Sequence, residues 1–213
     1  QYIEMDTRLD NKTMPQSIAR DSTFKPSTIY WWCSGFYPGS LWYIYEYTQS
    51  DAVKLLAEKN TLKLDSIQYV THDHDVGFQL NCSYGNAYRI TGDKEYLEPI
   101  LTSAKTLAKR FSPVTGVIRS WDFVRKGRDW KYPVIIDNMM NLEHLCNAES
   151  IFNDDSLKVV AVTHANTTMC NHFRPDYTSW HLVDYDPESG EVRKKETVQG
   201  FSDDSAWARG QAW

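Results

Sequence analysis

The chain has 213 residues, 41% of them hydrophobic and 24% charged, the composition of a globular protein with enough length to bury a substantial core, not of a disordered or membrane chain. No apolar run approaches the roughly 18 residues that a membrane-crossing helix needs. The formal net charge of -5 argues against a general nucleic-acid binder, which requires a basic surface. It leaves room for an acidic sugar, whose single carboxylate needs only a local cation.

The chain begins with the polar stretch QYIEMDTRLDNK, without an apolar leader, as in a mature chain from which a leader has been removed. On that basis the expected compartment is the periplasm, with the cytoplasm as the alternative. Helical periodicity then recurs in pairs. LWYIYEYT leads into SDAVKLLAEKN, VGFQLNCSYGNAYRIT into GDKEYLEPILTSAKTLAKRF, and VIIDNMMNLEHLCNAESIF into NDDSLKVVAVTHANTTMCNHF. Ser50 or Asp51, Asp93, and Asp154 or Asp155 stand where a side-chain oxygen caps the second helix of each pair. One helix-turn-helix unit thus repeats at an interval of roughly 40 to 60 residues, as in helical repeat arrays and closed helical toroids.

Longer links precede the pairs and carry Trp, His and Asp, which favours a toroid with a central cleft over an open solenoid. After the third pair, TSWHLVDYDPESGEVRKKETVQGF reads as a β-hairpin around a Pro-Glu-Ser-Gly turn. The final SDDSAWARGQAW starts another capped helix and stops inside an apolar-periodic segment. Residues 1–213 are therefore expected to be a single domain, incomplete at its C-terminal end. The four cysteines, Cys33, Cys82, Cys146 and Cys170, are widely spaced with no CxxC pair. They read as buried thiols in helices, not as a zinc or redox site.

Two carboxylates stand out. Asp137 lies in IIDNMMNLE among Ile135, Ile136, Met139, Met140 and Leu142, a setting that desolvates a carboxyl and raises its pKa. Such a group held protonated near neutral pH is a general acid; an Asp in a first helical turn also simply suits the helix dipole. Asp75 ends the run THDHD just before a helix. His72, Asp73, His74 and Asp75 are all metal-ligand types, but consecutive side chains diverge, so no metal is assigned. His144 and His164 read as structural histidines. Arg209 either pairs with a substrate carboxylate or forms an ion pair with Asp203 or Asp204. The 8 Trp and 13 Tyr supply flat apolar faces that suit both sugar rings and cores.

HDVGF, SWDF, IIDNMMNLE, HANTTM, SWHLVDYDPESGEV and QGFSDDSAWARGQAW, in this order, resemble the unsaturated glucuronyl hydrolases, glycoside hydrolase family 88. The resemblance runs from about Trp32 to Trp213 and implies an all-α fold, an (α/α)6 barrel of six hairpins. This chain would hold roughly the first half of that barrel, plus one β-hairpin insertion. It implies removal of a 4,5-unsaturated uronic acid from the non-reducing end of chondroitin, hyaluronan or heparin fragments by hydration of the vinyl ether. An unsaturated rhamnogalacturonyl hydrolase acting on pectin fragments is the nearer alternative, a non-catalytic glycan-binding module the more distant. By position the resemblance makes Asp137 the acid/base and Asp75 the second essential carboxylate. His74, Trp121, His181, Gln199 and Arg209 line the substrate pocket, and Trp32 and Trp42 belong to its aromatic wall. It implies no cofactor, and a monomer or weak homodimer.

Overall fold

A computed structural model describes all residues 1–213. The chain is helix-rich, with three small antiparallel sheets, so it carries more β-structure than the all-α expectation with one inserted hairpin. Its backbone divides into two compact units, residues 1–70 with 78–103, and residues 71–77 with 104–213. In chain order the elements are α1 (Tyr2–Asp6), β1 (Thr13–Ile18), β2 (Phe24–Thr28), α2 (Phe36–Thr48), α3 (Asp51–Leu62), α4 (Val76–Leu80), α5 (Asn86–Thr91) and α6 (Leu97–Ala108). There follow β3 (Phe111–Ser112), β4 (Val117–Ile118), β5 (Tyr132–Ile135), α7 (Asn141–Phe152), α8 (Asp155–Asn171), β6 (Leu182–Tyr185), β7 (Val192–Glu196) and α9 (Ala208–Ala212).

The three expected helix pairs form. A π-turn, Asn81–Gly85, joins α4 to α5 into one helical rod. Asp93 and Asp154 cap the second helices of their pairs, accepting from the N–H groups of Glu95 (3.0 Å) and Ser156 (3.2 Å). Ser50 is the exception: it occupies the N-cap of α3 with extended backbone but makes no side-chain cap bond. Its backbone carbonyl instead takes the N–H groups of Val53 and Lys54.

In the first unit, α2 runs close to the backbone of residues 79–82 because Gly35 and Gly39 have no side chains. A Cβ on Gly35 would lie 2.3 Å from the Gln79 carbonyl oxygen, and one on Gly39 2.8 Å from that of Cys82. Behind this contact lies an aromatic core. Trp42 is fully buried, its indole N–H donates to Thr61 Oγ1 at 2.9 Å, and its ring meets Tyr96 edge-on. Trp42 is therefore filled in on both its apolar and its polar side, which removes it from the expected aromatic wall. Trp32 is half-buried and packs edge-on against Phe36. Cys33 and Cys82 are half-buried, and Cys146 and Cys170 are exposed, so the expectation of four buried thiols fails. The α7 and α8 faces that carry the last two point outward.

The second unit is organised by the sheet β5-β6-β7. The expected hairpin is present as β6 and β7, and β5 adds to the free edge of β6 with Ile135 opposite Leu182 and Tyr132 opposite Tyr185. Side chains alternate across a sheet. Tyr132, Val134, Val183 and Tyr185 accordingly pack on one face with Val117, while Ile135 and Leu182 pack on the other with Trp121 and Trp130. Asp184, fully buried in β6, holds the edge: its Oδ1 accepts from the N–H groups of Lys131 (3.0 Å) and Tyr132 (2.8 Å), and its Oδ2 pairs with Arg193. Removing one partner of such a buried pair strands the other. Asp184→Ala should lower unfolding free energy by about 3–5 kcal/mol, read as an earlier midpoint in urea denaturation, and a change below 1 kcal/mol would contradict this account of the sheet.

Candidate active site

Asp137 follows β5 by two residues, in a 3-10 turn Ile136–Met140 that leads into α7. His181 immediately precedes β6. Because Ile135 is paired with Leu182, the next ladder bond runs from the Ile136 N–H to the His181 carbonyl at 2.9 Å, and the Asp137 and His181 side chains come together. His181 Nε2 lies 3.7 Å from Asp137 Oδ1. That is too long for a direct hydrogen bond, and Oδ1 is buried with no hydrogen-bond partner in the protein. Burial pushes the Asp137 carboxyl up to about 6, against weaker lowering by its own backbone N–H and by the charge of Arg209.

The tautomer of His181 is set by its other nitrogen. Nδ1 accepts the Val198 N–H at 3.0 Å, so in the neutral ring the proton sits on Nε2, on the side of Asp137. Burial first, then the charges of Arg125 and Arg209, pull the His181 pKa down to about 4. The ring is thus a neutral donor throughout the physiological range.

The segment THDHD is fixed by short β-like contacts to residues 120–122. His74 N–H donates to the Ser120 carbonyl at 3.0 Å and Asp122 N–H to the His72 carbonyl at 3.1 Å. His74 is fully buried, with Nε2 3.3 Å from Asp75 Oδ1 and Nδ1 3.4 Å from Asn141 Nδ2. Asp75 keeps 20% of its side chain open to solvent. Its pKa is raised well above the usual range by burial and by the neighbouring charges of Asp73 and Asp137. His72 and Asp73 turn to one another at 3.2 Å, and no cluster of three or more His, Cys, Asp or Glu has the geometry to hold a metal.

Arg209, at the start of α9, donates to Gln199 Oε1 at 2.7 Å, and its guanidinium lies 4.5 Å from the Trp207 ring centre. The Trp207 ring in turn meets His181 edge-on at 4.9 Å. Asp203 is used elsewhere, accepting the Thr197 N–H at 2.7 Å, so Arg209 takes the direction of the site through Gln199. Trp121 is only 6% exposed, stacked on Phe123 and tilted against Trp130. It supports a wall and shows little of its own face. His164 is structural, as expected: its Nδ1 accepts the Ile118 N–H at 2.9 Å.

Sequence reasoning missed the asparagine pair beneath these groups. Asn138, fully buried, donates to the Ile118 carbonyl (2.7 Å) and to Ser120 Oγ (3.0 Å) and accepts from Asn141 Nδ2 at 2.9 Å. Asn141 also reaches His74, so one amide chain ties the Asp137 turn to the Asp75 segment. The signal available in the sequence was two amides three residues apart on an otherwise apolar helix start. Asn138→Ala leaves the Ile118 carbonyl and Asn141 short of a partner and should cost about 1–3 kcal/mol in chemical denaturation, while Asn138→Asp, which cannot donate, should not rescue it.

Neutral imidazole, a buried acid with a pKa near 6, a second, partly open carboxyl and a cation held by an amide form a constellation suited to proton transfer. No family model matches the sequence. Individual proteins do. The chain is 45% identical over 183 residues to an unsaturated glucuronyl hydrolase of Formosa agariphila, a match covering 85% of this chain and 45% of that protein. It is 38% identical to an unsaturated chondroitin disaccharide hydrolase of Streptococcus pneumoniae, over 99% of this chain and 54% of that one. A solved unsaturated glucuronyl hydrolase specific for heparin superposes with a TM-score of 0.94 at 48% identity, over all of this chain and 56% of that structure. The chain spans about half the length of these relatives, and over that span it belongs to the unsaturated glucuronyl hydrolase family, glycoside hydrolase family 88.

Proposed function

We propose that this chain carries the catalytic acid/base of a glycoside hydrolase that removes a 4,5-unsaturated uronic acid from the non-reducing end of lyase-generated glycosaminoglycan oligosaccharides. Its two units are read as parts of a single (α/α)6 catalytic domain with six hairpins. The relatives named for unsaturated chondroitin and for heparin support the substrate class. The observation that carries the chemistry is Asp137, a buried carboxyl with one oxygen unpartnered, a pKa near 6 and a neutral N–H donor 3.7 Å away.

The reaction is a hydration. Protonated Asp137 gives its proton to C4 of the unsaturated ring, and positive charge develops at C5 and the ring oxygen. A water held by His181 Nε2 adds at C5 and passes a proton to the Asp137 carboxylate, which restores the acid. The hemiketal formed at C5 opens, and the glycosidic bond breaks as a consequence. One carboxyl thus acts as acid and then as base, so the separation rule for paired glycosidase carboxylates does not apply. Asp75, raised in pKa by burial and by the neighbouring charges of Asp73 and Asp137, hydrogen-bonds ring hydroxyls with His74 behind it. Arg209, oriented by Gln199, takes the uronate carboxylate.

Two outcomes test this reading. Asp137→Asn keeps shape and removes the acid, so loss of the enoate absorbance of unsaturated disaccharides should slow by about 10²- to 10⁴-fold. Undiminished turnover would sink the assignment. The acid must be protonated to act, and burial keeps it so up to about pH 6. The rate should therefore be maintained up to that pH and fall about tenfold per unit above it, a limb that Asp137→Asn abolishes.

A further inference from the structure

A cavity of about 340 Å³ opens between the end of α6 and the β3–β4 hairpin. Tyr132 forms part of its wall, and Tyr132 packs on the face of the β5-β6-β7 sheet opposite to that of Trp121 and Trp130. Asp75, Asp137, His181 and Arg209 are not among the residues that line it. The cavity is thus separate from the candidate active site.

Its walls carry three cations, Lys109, Arg110 and Arg119, and one acid, Asp122. Arg110 is used up within the protein. Its side chain is 5% exposed, and it donates to the Arg119 carbonyl at 2.9 Å, to the Thr71 carbonyl, and to the two oxygens of Asp122 at 2.9 and 3.2 Å. That bidentate pair cancels the negative charge of the cavity against one of its positive charges. Lys109 is exposed and has no ion pair with the protein. Arg119 holds its guanidinium 5.8 Å from the Tyr132 ring centre, with Nε buried, without a hydrogen-bond partner, and 3.7 Å from Asp122 Oδ1. Two positive charges are left over.

The neutral groups add donors. Ser112 Oγ accepts the N–H groups of Val114 and Thr115 at 3.2 and 3.5 Å, which leaves its own O–H to donate. Thr71 and Thr106 bring further hydroxyls. Tyr132 turns its hydroxyl away, to the carbonyls of Arg110 and Val117. A recess rich in N–H and O–H donors, whose one carboxylate is already engaged, is complementary to a ligand whose oxygens only accept.

We infer that this cavity is a second, non-catalytic site that binds a tetrahedral oxyanion group, free or carried on a sugar, with Lys109 and Arg119 as its cations and Ser112 as a neutral donor. A guanidinium takes such a group through paired, charge-assisted hydrogen bonds, and the contact of Arg119 with the Tyr132 ring orients it before the ligand arrives. The ammonium of Lys109 adds a mobile point charge at the mouth. The space exceeds that of one small ion and falls at the low end of cavities that hold small organic ligands.

The test is calorimetric titration of the protein with sodium sulfate, a 6-sulfated hexosamine and the unsulfated hexosamine, at ionic strength held constant with sodium chloride. Saturable binding of a sulfated probe is expected, and Lys109→Glu and Arg119→Gln should each weaken it about tenfold. Arg119→Lys, which keeps the charge, should recover part of the loss. Lys109→Glu, a surface change, should leave the urea midpoint and the turnover of unsaturated disaccharides as they are. Tighter binding of the sulfated hexosamine marks a group carried on a sugar, and tighter binding of inorganic sulfate a free ion; either supports the site. Absence of saturable sulfate binding, equal binding of the sulfated and unsulfated sugars with none of inorganic sulfate, or sulfate binding that survives both Lys109→Glu and Arg119→Gln overturns the inference.

Discussion

The pairing of β5 with β6 is the constraint on which the site depends. Ile135 opposite Leu182 means that the residues just beyond the ladder, Asp137 on one side and His181 on the other, meet across the sheet end. A slip of one residue would turn every side chain of β5 to the opposite face and send Asp137 away from the imidazole. Asp184 prevents the slip from inside the sheet by gripping the backbone of Lys131 and Tyr132. The buried alternation of the two strands prevents it from both faces. A structural carboxylate in β6 thereby positions Asp137 beyond β5.

The same architecture separates charges by their degree of solvation. Asp184 is buried and fully engaged by donors. Asp137 is nearly as buried, with 9% of its side chain accessible, but has an oxygen left without a partner. Hydrogen bonds to a carboxylate favour its charged form, while burial without them disfavours it. In Asp137 the unpartnered oxygen and the raised pKa go together. The histidines follow the converse rule: His74 and His181 are pushed to about 3 and 4 by burial, so both rings are neutral, and the Val198 N–H fixes the tautomer of His181.

Beneath the reactive groups the polar atoms are linked. Ser120 accepts from Asn138, lends its hydroxyl to the Ile135 N–H, and lends its carbonyl to the His74 N–H. Asn138 and Asn141 continue this chain to the His74 ring. A network with its members satisfied in this way specifies one arrangement. Movement of the THDHD segment relative to the Asp137 turn would break several buried bonds at once.

Sequence alone determined the local features: helix pairs with Asp93 and Asp154 as caps, the hairpin around Gly190, and an aspartate set among apolar residues at a helix start. Each is written in side-chain periodicity or turn chemistry within a few residues of chain. The ordered motifs pointed to the family, and to Asp137, His181, Gln199 and Arg209 as members of one site. What lay outside local pattern was missed or misread. Trp42 looked like a sugar platform but fills a core, because aromatic residues read the same in both settings until their neighbours are known. Ser50 sits at a cap without bonding there. The edge strand β5 was legible only as four apolar letters, since its partner lies about 50 residues farther on. Asn138 and Asn141 were silent because an amide shows its purpose only through the groups it joins. The tertiary structure decided which carboxyl stays protonated, which histidine nitrogen carries the proton, and which aromatic ring is left exposed, for all three are set by burial and by partners distant in sequence.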